Sequence, residues 1–232
     1  LHIGYPKVMS KFLQTEIFCN FNSLNFLSHE GSTYLLYHKI REYVFYKTDE
    51  QFEDNLSNLQ KEISDNLSKD KLNIFSDERY LWPNENGYKK IFFRLSKIFN
   101  FLKKTDIKII IFKREQSQIL QSMYCENQKI FINLDSKFTD FNFLIKDIFI
   151  KKNINKKKLN FFRCLEFNNI ADLLLKEYDF KVYLFNYDDI IIKNPKIVNE
   201  IAEVLECNYI DLIKSFSKRP VHKTKKNDDI YV

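Results

Sequence analysis

The sequence predicts an α/β fold, a single three-layer domain in which helices flank a central parallel β-sheet. Short apolar segments alternate along the chain with longer segments whose apolar residues recur every three or four positions, as expected for strands and amphipathic helices. Residues 106–113 carry the nearly continuous apolar run Ile109–Phe112 between charged residues. Such a run is typical of a central parallel strand that is buried on both faces. The three glycines and four prolines are too few for the many turns of an all-β sandwich.

Length and composition indicate one folded domain. The 232 residues, 44% of them apolar and 16% aromatic, can bury a sizeable core. We place this domain at residues 1–217 and predict a basic, flexible tail at residues 218–232. The four cysteines have neither C-x-x-C spacing nor a paired histidine, so we predict reduced thiols and no metal site. The net charge of +6 suits an anionic ligand, although solvated lysine runs give the same balance.

The individual elements follow from the spacing of the apolar residues. A short buried strand opens the chain, a tight turn at Pro6-Lys7 follows it, and a helical stripe then runs from Phe12 to Leu27. The other predicted helices are residues 34–46, 50–70, 88–103, 117–125, 161–178 and a last one that starts at Asn194-Pro195. The other predicted strands are residues 71–78, 106–113 and 181–187. Residues 126–160 are the least regular, and their lysine-rich end, residues 151–158, predicts a surface loop.

The first dozen residues organise the rest of the chain. A strand that leads directly into a helix leaves several backbone N–H groups directed at one place, where an anion can bind. Lys7 adds a point charge to this place, and Ser10 adds a hydroxyl donor. A basic turn between a strand and a helix, without a ligand, is the alternative interpretation of this segment taken alone.

A second candidate site follows the central strand. Arg114 comes where the apolar run ends, and Ser122 follows eight residues later, about two helical turns on. An arginine at the carboxyl edge of a parallel sheet faces the crevice in which α/β proteins bind ligands. Its planar guanidinium can hold a phosphate group with two hydrogen bonds. An exposed arginine and an ordinary helix serine are the alternative reading of this pair.

These two motifs together resemble those of sulfotransferases that use 3′-phosphoadenylyl sulfate (PAPS). Pro6-Lys7-x-x-Ser10 is similar to the family's 5′-phosphosulfate loop, usually Pro-Lys-Thr-Gly-Thr-Thr, with Val8, Met9 and Lys11 as departures. Arg114 followed by Ser122-Met123-Tyr124 is similar to the family's 3′-phosphate motif, a strand-end Arg followed eight residues on by Ser-x-Tyr.

Two weaker segments extend the resemblance, which spans roughly residues 2–205. Tyr187-Asp188-Asp189-Ile190 resembles the family segment Tyr-Glu-Asp-Leu at the end of a late strand, and Ser76-Asp77-Glu78 resembles the Ser-x-Glu strand end of carbohydrate-type members. The resemblance implies a P-loop NTPase-like sulfotransferase fold.

The resemblance also implies a reaction. A sulfuryl group would pass from PAPS to a hydroxyl of an acceptor, which the Ser-x-Glu strand end predicts to be a carbohydrate. Pro6, Lys7, Ser10 and Lys11 would hold the 5′ side of the donor, with Lys7 also at the bridging oxygen, whereas Arg114 and Ser122 would hold the 3′-phosphate. The family reaction implies no metal.

The general base is open between four residues. His38 comes first, because an imidazole suits proton removal from a hydroxyl and related bacterial enzymes carry a histidine after the first strand–helix unit. Glu78 comes second, and His29 and Glu30 are further candidates.

Other functions stay open in a definite order. The first alternative is a catalytically impaired sulfotransferase-like protein that binds nucleotide or a partner, as the altered loop residues Met9 and Lys11 indicate. Nucleic-acid binding ranks below it because the lysine runs lack interleaved aromatics, and we predict no nucleic-acid partner. A P-loop kinase ranks last because the Gly-x-x-x-x-Gly-Lys-Ser/Thr motif is absent.

The sequence contains no predicted membrane segment, because no apolar run approaches the ~20 residues that cross a bilayer. Two compartments stay open: the cytoplasm if the source is bacterial, and the Golgi lumen if an N-terminal anchor precedes Leu1. The oligomeric state is not specified by any pattern in the sequence.

Overall fold

The computed structural model describes residues 1–4, 9–28, 31–81, 88–103, 106–149 and 165–218, which form an α/β architecture with parallel strands. Strand β1 (Leu24–Leu27) pairs in parallel with β2 (Leu72–Phe75). Strand β3 (Lys108–Lys113) pairs in parallel with β4 (Lys181–Asn186). The predicted α/β class and the parallel pairing are therefore confirmed.

Residues 1–4, which we call the central segment, join the two sheets. His2 forms parallel bridges to Ser76, just past β2, and to Ile110 in β3. The His2 N–H donates to the Phe75 carbonyl at 2.8 Å, and the Ile3 N–H donates to the Ile110 carbonyl at 3.0 Å. The spatial order is therefore β1, β2, central segment, β3, β4. The predicted single sheet is a pair of two-stranded sheets bridged through one residue.

The helices connect these strands. The first helix, α1, continues directly into a π-helical segment, Leu13–Phe18. Short 3₁₀ turns occupy Gly31–Thr33, Glu78–Leu81 and Ser136–Thr139. In chain order the α-helices are α1 (Ser10–Phe12), α2 (Tyr34–Phe45), α3 (Asp49–Asn66), α4 (Tyr88–Ile98), α5 (Gln116–Leu134), α6 (Phe141–Phe149), α7 (Phe167–Tyr178), α8 (Tyr187–Ile191), α9 (Pro195–Val204) and α10 (Tyr209–Ser217).

The prediction of a helix through Leu27 is wrong, because residues 24–27 form strand β1. The helix closes earlier, where the N–H groups of Asn20 and Phe21 both donate to the Ile17 carbonyl at 3.2 Å. The apolar residues Ile17, Phe21 and Leu24 are nevertheless spaced by four and three, so the periodicity alone fits a helix. Pairing with β2 overrides this local pattern.

The predicted helix end near Cys125 is also wrong, and residues 126–149, in the segment expected to be least regular, are largely helical. Helix α5 continues through Leu134, and α6 follows. The extension is stabilised by Tyr124 and Phe131, two buried side chains on one helix face whose ring centroids are 5.5 Å apart. The predicted loop at residues 151–158 lies outside the described residues.

Helix α10 is a further element that the sequence reading did not single out. Asn208 caps it by accepting hydrogen bonds from the N–H groups of Ile210 and Asp211, at 2.8 and 3.2 Å. Leu212 and Phe216, four residues apart, bury one face of this helix in the core. Of the predicted tail, all but Lys218 lies outside the described residues.

A buried arginine holds three helices together. Arg94 in α4 is 1% exposed, and its guanidinium carbon lies 5.0 Å from the centroid of the Phe52 ring. Its Nη1 donates to the Tyr43 carbonyl at 2.9 Å, and its Nη2 donates to the Lys47 carbonyl at 2.8 Å and to Asp49 Oδ1 at 2.5 Å. Because these acceptors belong to the end of α2 and the beginning of α3, Arg94 joins α4 to both helices.

The central segment is fixed by a buried polar network as well as by its backbone. His2 is 1% exposed, and its Nδ1 lies 2.6 Å from the Ser76 hydroxyl oxygen. Gln14, in the π-helical segment, donates to the same oxygen at 3.0 Å. Burial lowers the pKa of His2 to about 3. The imidazole is therefore neutral at neutral pH and remains so in the folded state under mildly acidic conditions.

We expect this histidine to make the fold less stable as the pH falls. The unfolded chain takes up a proton at His2 near pH 6.5, whereas the folded chain does not until about pH 3. Between these values stability rises with pH, so going from pH 7 to pH 5 should cost about 2 kcal/mol through His2 alone. Urea unfolding of wild type and His2→Asn at pH 7, 6 and 5 measures this. In the variant, the free energy of unfolding should depend less on pH by this amount. An equal pH dependence in the two proteins would contradict the assignment.

Candidate functional site

The strand order predicts a crevice at the carboxyl ends of the strands, between the central segment and β3. The chain that follows the central segment leads to β1 on one side of it, whereas the chain that follows β3 leads to β4 on the other side. Connections that diverge in this way leave an opening outside the sheet edge, and ligands of α/β sheets bind at such points. Ser10 and Arg114, which belong to the two predicted halves of the site, follow these two strands.

On the first side of the crevice, Gly4 ends the central segment and lies against Ser10. A Cβ atom at position 4 would lie 2.2 Å from the Ser10 Oγ and 3.1 Å from its Cβ, so this approach requires glycine. Ser10 is 3% exposed and begins α1. The structure therefore places the predicted hydroxyl donor directly beside the end of the central segment.

The residue before α1 has an unusual backbone conformation. Met9 adopts φ 49° and ψ 12°, in the left-handed region that glycine enters without strain. Its side chain is buried in the core, 7% exposed. Position 9 is where the sulfotransferase loop has glycine, so the chain keeps a glycine-type backbone there with a methionine side chain.

The other residues predicted for the 5′ side are only partly described. Pro6 and Lys7 lie outside the described residues, together with Val8. Lys11 lies in the middle of α1, and its side chain is exposed to solvent. The described part of this half of the site therefore consists of Gly4, Ser10 and Lys11.

On the second side of the crevice, Arg114 directly follows β3. Its Nε donates to the side-chain oxygen of Gln118 at 2.7 Å, and its guanidinium carbon lies 5.1 Å from the centroid of the Tyr187 ring. No described residue accepts a hydrogen bond from Nη1 or Nη2 of Arg114. The half-buried guanidinium thus keeps its two terminal nitrogens available at the carboxyl edge.

Ser122 lies on α5, one turn beyond Gln118 and on the same helix face. It is half-buried, and no hydrogen bond joins it to Arg114 within the described part of the chain. Tyr124, from the Ser-x-Tyr resemblance, is instead a core residue. Its hydroxyl lies 2.9 Å from the Phe138 carbonyl oxygen and 2.7 Å from that of Thr139, which joins α5 to the following turn.

Glu115 adds a negative charge beside Arg114. Its carboxylate caps α5 by accepting hydrogen bonds from the N–H of Ser117 at 3.0 Å and of Gln118 at 2.8 Å. Bonds from Ser117, first of all from its hydroxyl, lower the pKa of Glu115, which is therefore ionised at neutral pH. Because the carboxylate occupies these amides, an anion in the crevice would contact Arg114 rather than the N-terminus of α5.

The two leading candidates for a general base lie on elements that follow β1 and β2. The His38 ring centroid lies 5.4 Å from that of Tyr37, and Glu78 begins the 3₁₀ turn that follows β2. Burial, followed by Asp77 and with a smaller contribution from Glu78, raises the pKa of Tyr37. Both candidates thus lie on the β1–β2 side of the central segment, opposite Arg114. His29 and Glu30 lie outside the described residues.

A charged cluster around Asp77 was not predicted from the sequence. Asp77 is 2% exposed and accepts from the Arg79 N–H at 2.9 Å, and its other oxygen lies 3.2 Å from Nε of Arg41. Arg79 also reaches the Tyr37 hydroxyl at 3.4 Å. The cluster fixes the turn after β2 and holds α2 against it, so it determines where His38 and Glu78 lie. Its local signal is an acidic residue directly after a strand pattern, with an arginine two positions later.

A pocket with a volume of 720 Å³ lies at the opposite, amino-terminal end of the strands. Its walls include Leu1, Leu72 and Lys108, whose ammonium group donates to Glu206 at 2.8 Å. Neither Ser10 nor Arg114 contributes to this pocket. It is therefore separate from the crevice at the carboxyl edge.

Within the described ranges, no group of three or more His, Cys, Asp or Glu side chains is arranged to hold a metal ion. The same residues contain no helix with the length and apolarity to cross a membrane. Comparisons with protein families, with curated proteins and with solved structures gave no match for this chain. Its function is therefore inferred from its own residues and geometry.

We expect the Glu115 carboxylate to weaken anion binding at Arg114. The change Glu115→Asn keeps a good helix cap but removes the charge, so the affinity for adenosine 3′,5′-bisphosphate should rise about threefold to tenfold at low ionic strength. Isothermal titration calorimetry at two salt concentrations measures this. Glu203→Gln, a matched charge removal on the exposed surface of α9, is the control. An equal gain in both variants would show an effect of net charge alone.

Proposed function

We propose that this protein is a sulfotransferase that moves a sulfuryl group from PAPS to a hydroxyl of an acceptor, with a carbohydrate as the favoured acceptor. One observation carries the proposal. The Gly4–Ser10 approach and the unoccupied terminal nitrogens of Arg114 flank the same crevice, at the point where the strand connections diverge. The two motifs that resemble the family were identified independently in the sequence, and they follow adjacent strands.

The proposed donor lies across the crevice. The hydroxyl of Ser10, the backbone amides before α1, Pro6, Lys7 and the exposed cation of Lys11 would hold the 5′-phosphosulfate. Arg114 would hold the 3′-phosphate through its two terminal nitrogens, with Ser122 as a hydroxyl donor from the next turn of α5. In this proposal the sulfuryl group faces the β2 side of the central segment.

The proposed acceptor site is on that side. Sulfuryl transfer is an in-line displacement, so the protein must align the two substrates and neutralise the charge that develops on the leaving oxygen. Lys7 would supply the positive charge at the bridging oxygen. His38 or Glu78 would accept the proton of the acceptor hydroxyl.

We extend the proposal to the fold. A parallel arrangement in the order β1, β2, central segment, β3, β4, with a phosphate-binding turn directly after the innermost strand, is what a P-loop-like sulfotransferase fold requires of this chain. In this proposal the central segment takes the place of the phosphate-binding strand, and Pro6 and Lys7 belong to the loop that follows it.

A second candidate is a sulfotransferase-like protein that binds the nucleotide without efficient turnover. The conformation of Met9 favours it. A non-glycine residue in the left-handed region costs about 1–2 kcal/mol, and the methionine side chain adds bulk before α1 where glycine would leave the backbone open. Binding and turnover therefore have to be measured separately.

The test is calorimetric binding of adenosine 3′,5′-bisphosphate, the product of PAPS, to wild type, Lys7→Ala and Arg114→Ala. Loss of charge-assisted bonds to a phosphate should weaken binding about tenfold to a hundredfold in each variant. Lys129→Ala, an exposed cation farther along α5, is the matched control and should bind like wild type. A folded wild type that does not bind the bisphosphate would overturn the proposal.

Turnover is then tested with ³⁵S-labelled PAPS and a panel of carbohydrate and phenolic acceptors. Transfer to carbohydrate hydroxyls that is lost in Lys7→Ala supports the enzyme. Tight nucleotide binding without transfer to any acceptor in the panel supports the second candidate.

A further inference from the structure

The environment of Arg114 is built by two separate parts of the chain. Tyr187 follows β4, and its ring lies beneath the guanidinium at 5.1 Å from ring centroid to guanidinium carbon. Gln118, in the first turn of α5, accepts the Nε–H at 2.7 Å. One contact places the guanidinium over the Tyr187 ring, and the other engages its Nε–H. Together they restrict the orientation of the group.

This arrangement has a consequence for the terminal nitrogens. An arginine side chain has many rotamers, and it loses this freedom when it binds a ligand. Here the face contact and the Nε bond have already removed much of it in the protein without ligand. Nη1 and Nη2, which no described residue engages, remain directed away from Gln118 as a planar pair of donors.

Within the described residues, no ion pair holds Arg114 in its position. The carboxylate nearest in sequence, Glu115, bonds to the amides of Ser117 and Gln118 and forms no ion pair with Arg114 within the described residues. Arg114 is therefore held by a neutral amide and a ring rather than by a counter-ion. The Glu115 charge still acts on Arg114 through space, but Nη1 and Nη2 stay unoccupied by any described residue.

We propose that Tyr187 and Gln118 are positioning residues that orient Arg114 for two-point recognition of a phosphate group. This inference rests on the proposed function, because the 3′-phosphate of the adenosine bisphosphate is the phosphate that Arg114 would hold. The ring of Tyr187, rather than its hydroxyl, carries the effect. Gln118 acts through its side-chain oxygen and touches Arg114 rather than the nucleotide.

The binding test compares two ligands that differ only in the 3′-phosphate, adenosine 3′,5′-bisphosphate and adenosine 5′-monophosphate. Tyr187→Leu should lower the affinity for the bisphosphate about threefold to tenfold, and Tyr187→Phe, which keeps the ring face, should bind it like wild type. Gln118→Ala should lower this affinity by a similar factor. The affinity for the monophosphate should be unchanged in all three variants, because that ligand lacks the group that Arg114 would hold.

A second readout needs no ligand. In a ¹H–¹⁵N spectrum of the side-chain Nε–H groups, the Arg114 signal should be protected from exchange by Gln118 and shifted by the ring current of Tyr187. Gln118→Ala should abolish the protection, Tyr187→Leu should abolish the ring-current shift, and Tyr187→Phe should keep both. These changes report the orientation of Arg114 rather than the stability of the fold.

The outcomes separate this inference from the proposed function. If wild type does not bind the bisphosphate, the proposed function fails, and the inference about phosphate fails with it. If wild type binds through Arg114 but Tyr187→Leu and Gln118→Ala retain full affinity, the proposed function stands and the inference is overturned. Equal weakening by Tyr187→Phe and Tyr187→Leu would also overturn it, since the hydroxyl rather than the ring would then be responsible.

Discussion

The structure depends on the insertion of the central segment between two small sheets. Each sheet has two strands, and a two-stranded unit gains little stability by itself. The backbone bonds from His2 to Phe75 and from Ile3 to Ile110 connect them. The buried imidazole of His2 adds a side-chain hydrogen bond to Ser76. Its ring centroid lies 5.6 Å from that of Phe18 and 5.6 Å from that of Phe112. Four short strands thus become one parallel arrangement around these few residues.

The same insertion positions the candidate site. Because the central segment pairs with β3 in parallel, Gly4 and Arg114 come to the same edge, and because the following connections diverge, the space between them stays open. The two sides of this space carry different kinds of side chain. Ser10, Lys11 and Arg114 follow the central segment and β3, whereas His38 and Glu78 follow β1 and β2.

Two features would limit anion binding at the proposed site. The first is Met9, a non-glycine residue in a left-handed conformation at the entrance to α1. The second is Glu115, which neutralises the N-terminus of α5 and places a carboxylate next in sequence to Arg114. Both also act on the fold, because Met9 holds a left-handed backbone conformation and Glu115 caps α5. The site therefore relies on Arg114 and its orientation more than on helix N-termini.

The sequence predicted those parts of the structure whose signal is local. Strand β3 was predicted because a run of apolar residues between charges suits only a buried strand, and Arg114 was predicted because it ends that run. Strand β1 was missed because Leu24 and Leu27 continue a spacing that also fits a helix. Only pairing with β2, distant in the chain, selects the strand.

The contacts that complete the candidate site are of the same nonlocal kind. The approach of Tyr187 to Arg114 and that of Arg41 to Asp77 join residues far apart in sequence. Neither has a spacing rule that could have been read along the chain. By contrast, the Arg114–Gln118 bond follows the one-turn spacing of residues at the start of a helix, so this contact could have been predicted.

The central claim is that an adenosine bisphosphate binds at the carboxyl edge between the central segment and β3. Backbone ¹H–¹⁵N chemical-shift mapping during titration with adenosine 3′,5′-bisphosphate tests it most directly. The account predicts the largest shifts at Gly4, Ser10, Arg114 and Ser122, with Leu72 and Lys108 at the opposite edge unchanged. Shifts confined to the pocket around Leu72 and Lys108, or no shifts in a folded protein, would contradict it.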